Sequence, residues 1–458
     1  MGASTEPHLK RGFGLLQATA LNFTNVVGVG PFITIPLILA AMGGPQAMLG
    51  WILGAVLALC DGQVWSELGA AWPGSGGSYQ FLREAYGRES LGRLMAFLFI
   101  WQFVLSGPLE IASGMIGFSG YAGYIWPSMT PLGRKFLAAA VGATALLLLY
   151  RKITVLGKVT VTLWIGTLAT MAGILAIGLP HFHPRLAFSF PPHAFAFSRG
   201  FALGLGNAML IAMYDYLGYY DVCYIGDEVR DPARVIPRSI LYCILMSAVA
   251  YLAVNITLIG VIPWRQAIHS QFLVSEFIQQ LHGRPAAILF TGMILWTAFG
   301  SVFALLLGYS RIPYAAAVDG FFFRVFARVH PTKNFPQVSL LVLGGVSIVA
   351  AFFPLDVVIS ALITTRVLVQ FLAQILALPL LHRLPRENRP YQMWLYPLPA
   401  ILAFAGWSYI FLTSGWKYVA LGLLTLTLGI LIYFIRARST RTWPFALISG
   451  RDPAAGAG

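Results

Sequence analysis

The run Asn25-Val26-Val27-Gly28-Val29-Gly30-Pro31 interrupts an apolar stretch over residues 13–42. A second run, Tyr214-Asp215-Tyr216-Leu217-Gly218-Tyr219-Tyr220-Asp221, interrupts another over 199–225. Glycine weakens a helix, and Pro31 lacks an N–H and crowds the turn before it. Gly218 stands among aromatics and two acids. Both stretches therefore read as membrane helices broken at mid-depth. The breaks are about 190 residues apart, and so are the stretches that start near 94 and 285. Interruptions at matching places in two halves predict an inverted repeat, with a binding site where the broken ends meet.

Composition agrees with a membrane setting. Of 458 residues, 58% are hydrophobic and 10% charged, against about 25% charged in an average soluble protein. No single aqueous core could bury so much apolar surface, so the expected fold class is an all-α polytopic membrane protein. Twelve transmembrane helices are expected, over 13–42, 47–72, 94–126, 132–150, 158–179, 199–225, 238–262, 285–312, 336–353, 356–381, 397–414 and 416–436. Each is long enough for a hydrocarbon core about 30 Å thick. Ten form a five-plus-five inverted repeat, over about 13–180 and about 198–382, with helices 1 and 6 broken. Helices 11 and 12, about 397–436, stand outside it.

Placing both termini in the cytoplasm puts most of the 30 Lys and Arg residues in cytoplasmic loops, and the opposite orientation inverts that bias. The net charge of +14 thus reports topology and not a nucleic-acid partner. Residues 1–12 are expected as a cytoplasmic tail without a signal-peptide pattern, 13–436 as a multi-pass cell-membrane domain, and 437–458 as a second cytoplasmic tail. Cys60, Cys223 and Cys243 all fall in spans and offer neither a disulfide framework nor metal spacing. His181 and His183 read as loop residues. No nucleophile triad or ligand cluster is visible, so neither an enzyme, a cofactor nor a metal is expected.

Asp61, Glu110, Asp215, Asp221 and Arg366 lie inside these apolar runs. A charge near the bilayer centre costs roughly 2.5 kcal/mol or more and faces protein or a wet cavity. Four acids against one base leave negative charge for protons or a cationic substrate to answer, unless some acids stay neutral. Glu110 shares a helix face with Ser106, Gly107, Ser113, Gly114 and Gly117, a small-residue stripe that turns it into the bundle, where it binds an amine, carries a proton or forms an ion pair. Asp215 and Asp221 flank the second break and either hold an ammonium or proton or cap the half-helices. Tyr214, Tyr219 and Tyr220 are candidates to wall the site and offer cation–π contacts. Asp61 sits near mid-membrane as a proton relay or a structural acceptor. Arg366, with Gln370 and Gln374 at i+4 and i+8, pairs with Glu110 or Asp61, or meets a substrate carboxylate. At the first break, Gly28, Val29 and Gly30 should leave N–H groups open to a carboxylate.

Four segments then carry a resemblance: Asn25 to Phe32, Ser66 to Tyr79 (Ser-Glu-Leu-Gly-Ala-Ala-Trp-Pro-Gly-Ser-Gly-Gly-Ser-Tyr), Gly226 to Arg238 (Gly-Asp-Glu-Val-Arg-Asp-Pro-Ala-Arg-Val-Ile-Pro-Arg), and Arg311 with Val318-Asp319-Gly320 and Pro336. They resemble the helix 1 break, the helix 2–3 loop, the helix 6–7 loop and the loop after helix 8 of the amino acid–polyamine–organocation superfamily of permeases. The resemblance implies alternating access, with helices 1, 2, 6 and 7 rocking against 3, 4, 8 and 9. It implies amino acids, polyamines or related amines as substrates, and it adds Asn25 to the substrate positions. Val29 stands where many members carry Ser. The helix 5 interior lacks the Lys that replaces a sodium ion in some members, and protons are the expected coupling ion. A proton-coupled secondary transporter of cationic or neutral amino acids is expected first, and a polyamine or organic amine transporter or exchanger second. A membrane receptor or channel without a transport cycle would instead keep helices 1 and 6 continuous.

Overall fold

The computed structural model describes residues 11–353 and 355–445; most of both expected tails lies outside them. The first apolar stretch becomes three helices, α1 (Leu15–Val26), α2 (Gly30–Ile33) and α3 (Ile35–Met42), with a bend of 59° before α3. Val27 closes α1 with a non-helical ψ of 77°, and Pro31 sits in the first turn of α2, where its missing N–H costs nothing. Next come α4 (Met48–Ala71), α5 (Ser78–Ala85), α6 (Leu91–Tyr121), α7 (Pro131–Leu149), α8 (Ile153–Gly178) and the single turn α9 (Pro184–Ala187). The second break ends α10 (Arg199–Tyr216). There Gly218 takes φ 110°, a left-handed value that disfavours any side chain, and tight turns at Asp221–Tyr224 and Gly226–Glu228 follow.

The remaining helices are α11 (Pro232–Ile259), α12 (Trp264–Ala267), α13 (Leu273–Tyr309), α14 (Arg311–Val318), α15 (Gln337–Ala350), α16 (Leu355–Arg366), α17 (Leu378–Leu381), α18 (Leu398–Thr413) and α19 (Trp416–Thr440). α13 turns at Gly283, where φ is 79°, ahead of Pro285. The stretch expected as one helix over 356–381 is instead divided, because a wide π-helical segment, Val367–Ala373, follows Arg366. Such a segment shifts every later side chain around the axis. Gln370 and Gln374 consequently reach separate partners, Tyr224 at 3.2 Å and Ser78 at 2.5 Å.

Eight helical stretches among the described residues are long and apolar enough to cross a membrane, or nine if the bent pair Leu15–Ile33 and Ile35–Met42 counts as one span. α15 and α18 are apolar but shorter, at 14 and 16 residues. α1 lies at the centre of the bundle against α8, α11 and α13, while α10 packs on α3 and α4. From Ala18 to Val26 every residue of α1 is buried, polar Asn22, Thr24 and Asn25 included. Lipid would accept none of those polar groups without partners, so their burial in protein is what permits a broken helix at this depth.

Candidate functional site

The two breaks face each other across a small cavity. Its wall includes Asn25, Gly28, Val29 and Gly30 from the first break and Tyr214, Asp215 and Leu217 from the second. Glu110, Ser113 and Gly114 of α6 and Ser301 and Leu305 of α13 complete it. The cavity measures about 40 Å³, nearer to the room a water needs than to an amino acid. Admitting a solute therefore requires the walls to separate.

Hydroxyls from α11 and α13 hold the opened backbone. Ser301 Oγ donates to the Asn25 carbonyl at 3.1 Å, and Thr297 Oγ1 to the Gly28 carbonyl at 3.4 Å. Tyr251 reaches both breaks at once, donating to the Val26 carbonyl at 2.8 Å and lying 3.1 Å from the Asp215 carbonyl. The Gly28 N–H is already used, on the Val26 carbonyl at 3.0 Å. This corrects the expectation of three open amides: only Val29 and Gly30 have no acceptor among the described backbone bonds.

Asp215 is buried at the cavity edge. Thr34 Oγ1 donates to its Oδ2 at 2.5 Å, while Oδ1 has no partner among the described residues. Gly30 permits this approach, since a Cβ there would collide with Oδ1. Tyr214 shares a hydrogen bond of 2.9 Å with Ser113, tying the second break to α6.

Glu110 faces the cavity from α6 and is paired on its far side. Arg366 Nη1 and the Tyr309 hydroxyl both donate to Glu110 Oε2, Arg366 Nε donates to Ser106 Oγ at 3.0 Å, and Arg366 Nη1 lies 3.0 Å from the Tyr309 hydroxyl. Of the partners left open for Arg366, the structure thus selects Glu110. The pair leaves the α6 side of the cavity with no net charge.

Asp61, Tyr219, Gly218 and Asp221 lie behind the wall. Asp61 Oδ2 accepts from Tyr219 at 2.5 Å and from Trp65 Nε1 at 3.0 Å. Gly218 presses on Asn25, and a Cβ there would come within 2.5 Å of Nδ2. Asp221 packs against Gly308 of α13, and neither of its oxygens has a partner among the described residues. Deeper still, Glu67 accepts from the Met393 N–H at 3.0 Å and meets His382 at 2.8 Å. Arg311 Nε meets Glu228 Oε1 at 2.7 Å. Thr34, Tyr251, Ser301 and Tyr309 were not legible as site residues, because one hydroxyl in an apolar run carries no distinguishing pattern.

A helical membrane bundle whose broken helices enclose a small polar cavity defines a transporter of small solutes. The amino acid permease family model matches residues 13–448, and the chain belongs to that family, within the amino acid–polyamine–organocation superfamily. It is a family of transporters, not of enzymes. The chain is 25% identical over 451 residues to the branched-chain amino acid permease BcaP of Bacillus subtilis, covering 95% of each. It is 26% identical over 395 residues to cationic amino acid transporter 4 of Mus musculus, covering 81% of this chain and 58% of that one. It is 25% identical over 422 residues to an aspartate-proton symporter of Bacillus subtilis, covering 88% and 79%.

Proposed function

We propose that this amino acid permease is a proton-coupled transporter that seats the ammonium group of a cationic or neutral amino acid on Asp215 and works by alternating access. In this reading twelve spans cross the cell membrane with both termini cytoplasmic, and ten of them form the five-plus-five inverted repeat. Residues 1–12 and 437–458 are the cytoplasmic tails of a transmembrane domain over 13–436. The short helices α15 and α18 are the ninth and eleventh spans.

One observation carries the reading: Asp215 Oδ1 is buried beside the cavity with no partner among the described residues, while Glu110 is matched by Arg366. A buried carboxyl without a cation must take a proton or an ammonium. The amides of Val29 and Gly30 supply donors for the substrate carboxylate, and Asn25, Tyr214 and Gly28 shape the space between. Glu110 and Arg366 couple movements of α6 and α16, Asp61 braces the second break through Tyr219, and the buried, unpartnered Asp221 takes part in gating. Among the acids lining the cavity, only Asp215 is unmatched among the described residues, which suits a single ammonium better than a polyamine and places the polyamine or exchanger reading second. A named relative, the aspartate-proton symporter, supports protons as the coupling ion.

The test is purified protein in proteoliposomes, screened first by thermal shift against amino acids and polyamines. Uptake and lumenal pH are then followed together with the best ligand. Asp215→Asn should weaken substrate binding roughly ten- to hundredfold, the worth of one charge-assisted hydrogen bond, and should abolish proton movement. Undiminished binding and coupling in Asp215→Asn would remove Asp215 from the site.

A further inference from the structure

On the outer face of the bundle, away from the substrate cavity, α6 and α19 diverge to leave an apolar groove of about 680 Å³, lined by Ile100, Val104, Leu428 and Ile432 and overhung by Phe321–Phe323. We infer that this groove holds one acyl chain of an anionic phospholipid whose headgroup is bound by Arg436.

Three features carry the assignment. The first is length. The groove follows α19 from Thr425 to Arg436, about 16 Å at 1.5 Å per residue, which matches one leaflet of a core about 30 Å thick. The second is the wall. Val104 and Phe323 are 52% and 70% exposed, and a groove so apolar offers water no partners and is filled by hydrocarbon. Its floor is fixed by Trp101, whose Nε1 donates to the Thr425 carbonyl at 2.9 Å and ties the two helices together there.

The third feature is charge, confined to one end. Arg436 lines the groove mouth, is exposed, and makes one long bond, 3.4 Å to the Phe321 carbonyl. Most of its donors remain available to a phosphate. Arg93 lies over the Phe321 ring at 5.4 Å, with one nitrogen on Glu89 at 2.6 Å. Exposed Arg438 and Arg441 follow on the same helix end. Arg436 at the mouth of a chain-length apolar slot, with further arginines at the same helix end, selects a lipid with a negative headgroup over a zwitterionic one.

The experiment uses the full chain reconstituted in bilayers of equal phosphatidylglycerol and phosphatidylcholine. The protein is re-extracted in mild detergent, and its retained lipids are counted by native mass spectrometry. Wild type should retain phosphatidylglycerol in preference. Arg436→Gln, an exposed change, should lower that preference about fivefold, the factor expected of one interfacial arginine, without lowering the melting temperature. Val104→Trp, or Leu428→Trp if the first fails to fold, should displace the retained lipid of either kind. Equal retention of both lipids by wild type, an unchanged preference in Arg436→Gln, or a second copy of the chain seated in the groove would each overturn the assignment.

Discussion

Arg366 reaches from the end of α16 to the Glu110 carboxylate in the middle of α6, and both side chains are buried. Their attraction is strong only because water is excluded, and the same exclusion makes either one alone expensive. Arg366→Met should therefore destabilise the protein by about 3–5 kcal/mol, whereas Glu110→Met combined with Arg366→Met should recover most of that loss. Unfolding of wild type, Arg366→Met, Glu110→Met and the double variant in one detergent decides the matter. Additive losses in the double variant would mean that the two side chains act separately.

Gly30 has no room for a side chain, because the space where its Cβ would lie is taken by Asp215 Oδ1. Gly30→Ala must push Asp215 out of place or distort the start of α2. Overpacking of this kind costs about 1–3 kcal/mol. We expect a modest drop in melting temperature and a much larger loss of ligand binding by calorimetry. A variant that binds as tightly as wild type would show that Asp215 has no fixed position to lose.

The breaks were legible in the sequence because Gly28, Gly30, Pro31 and Gly218 contradict the helical pattern around them, and local chemistry alone sets that contradiction. The acids were legible because charge is rare in apolar runs. Glu110 could even be turned inward from the small residues at its helical neighbours. Of the pairings across long separations, the charged one of Arg366 with Glu110 was among those left open, but those made by neutral hydroxyls were hidden. Nothing near Tyr251 marks it as a bond to two carbonyls, one of them 225 positions away. The π segment after Arg366 was hidden for the same reason, since residues 367–373 read as ordinary helix and only their packed surroundings widen the turn.

Asp61 accepts hydrogen bonds from Tyr219 and Trp65, and neither donor opens onto the cavity. On the proposed reading, a carboxyl held through this one oxygen, Oδ2, braces the second break against α4 and stands outside the coupling path. Asp61→Asn should slow transport while leaving the number of protons moved per substrate unchanged, in contrast to Asp215→Asn. Simultaneous pH and radiotracer recording in proteoliposomes separates the two. A changed ratio in Asp61→Asn would return Asp61 to the coupling path.

The Tyr251 hydroxyl touches the loose ends of both half-helices, through Val26 and Asp215. Carbonyls at broken ends inside a membrane need partners, and each orphaned one costs free energy. Alternating access requires the two breaks to move as a unit against α6 and α13, and a shared donor links them at no cost in bulk. Tyr251→Phe keeps the ring, which packs edge-on against Trp51 with centroids 5.1 Å apart, and removes only the hydroxyl. Stability should fall by about 0.5–1.5 kcal/mol. The turnover number should fall several times further than substrate affinity, because the ligand contacts are untouched while the link between the breaks is lost. Transport kinetics in proteoliposomes give both quantities. A Tyr251→Phe protein that turns over at the wild-type rate would show that the two breaks move together without this hydroxyl.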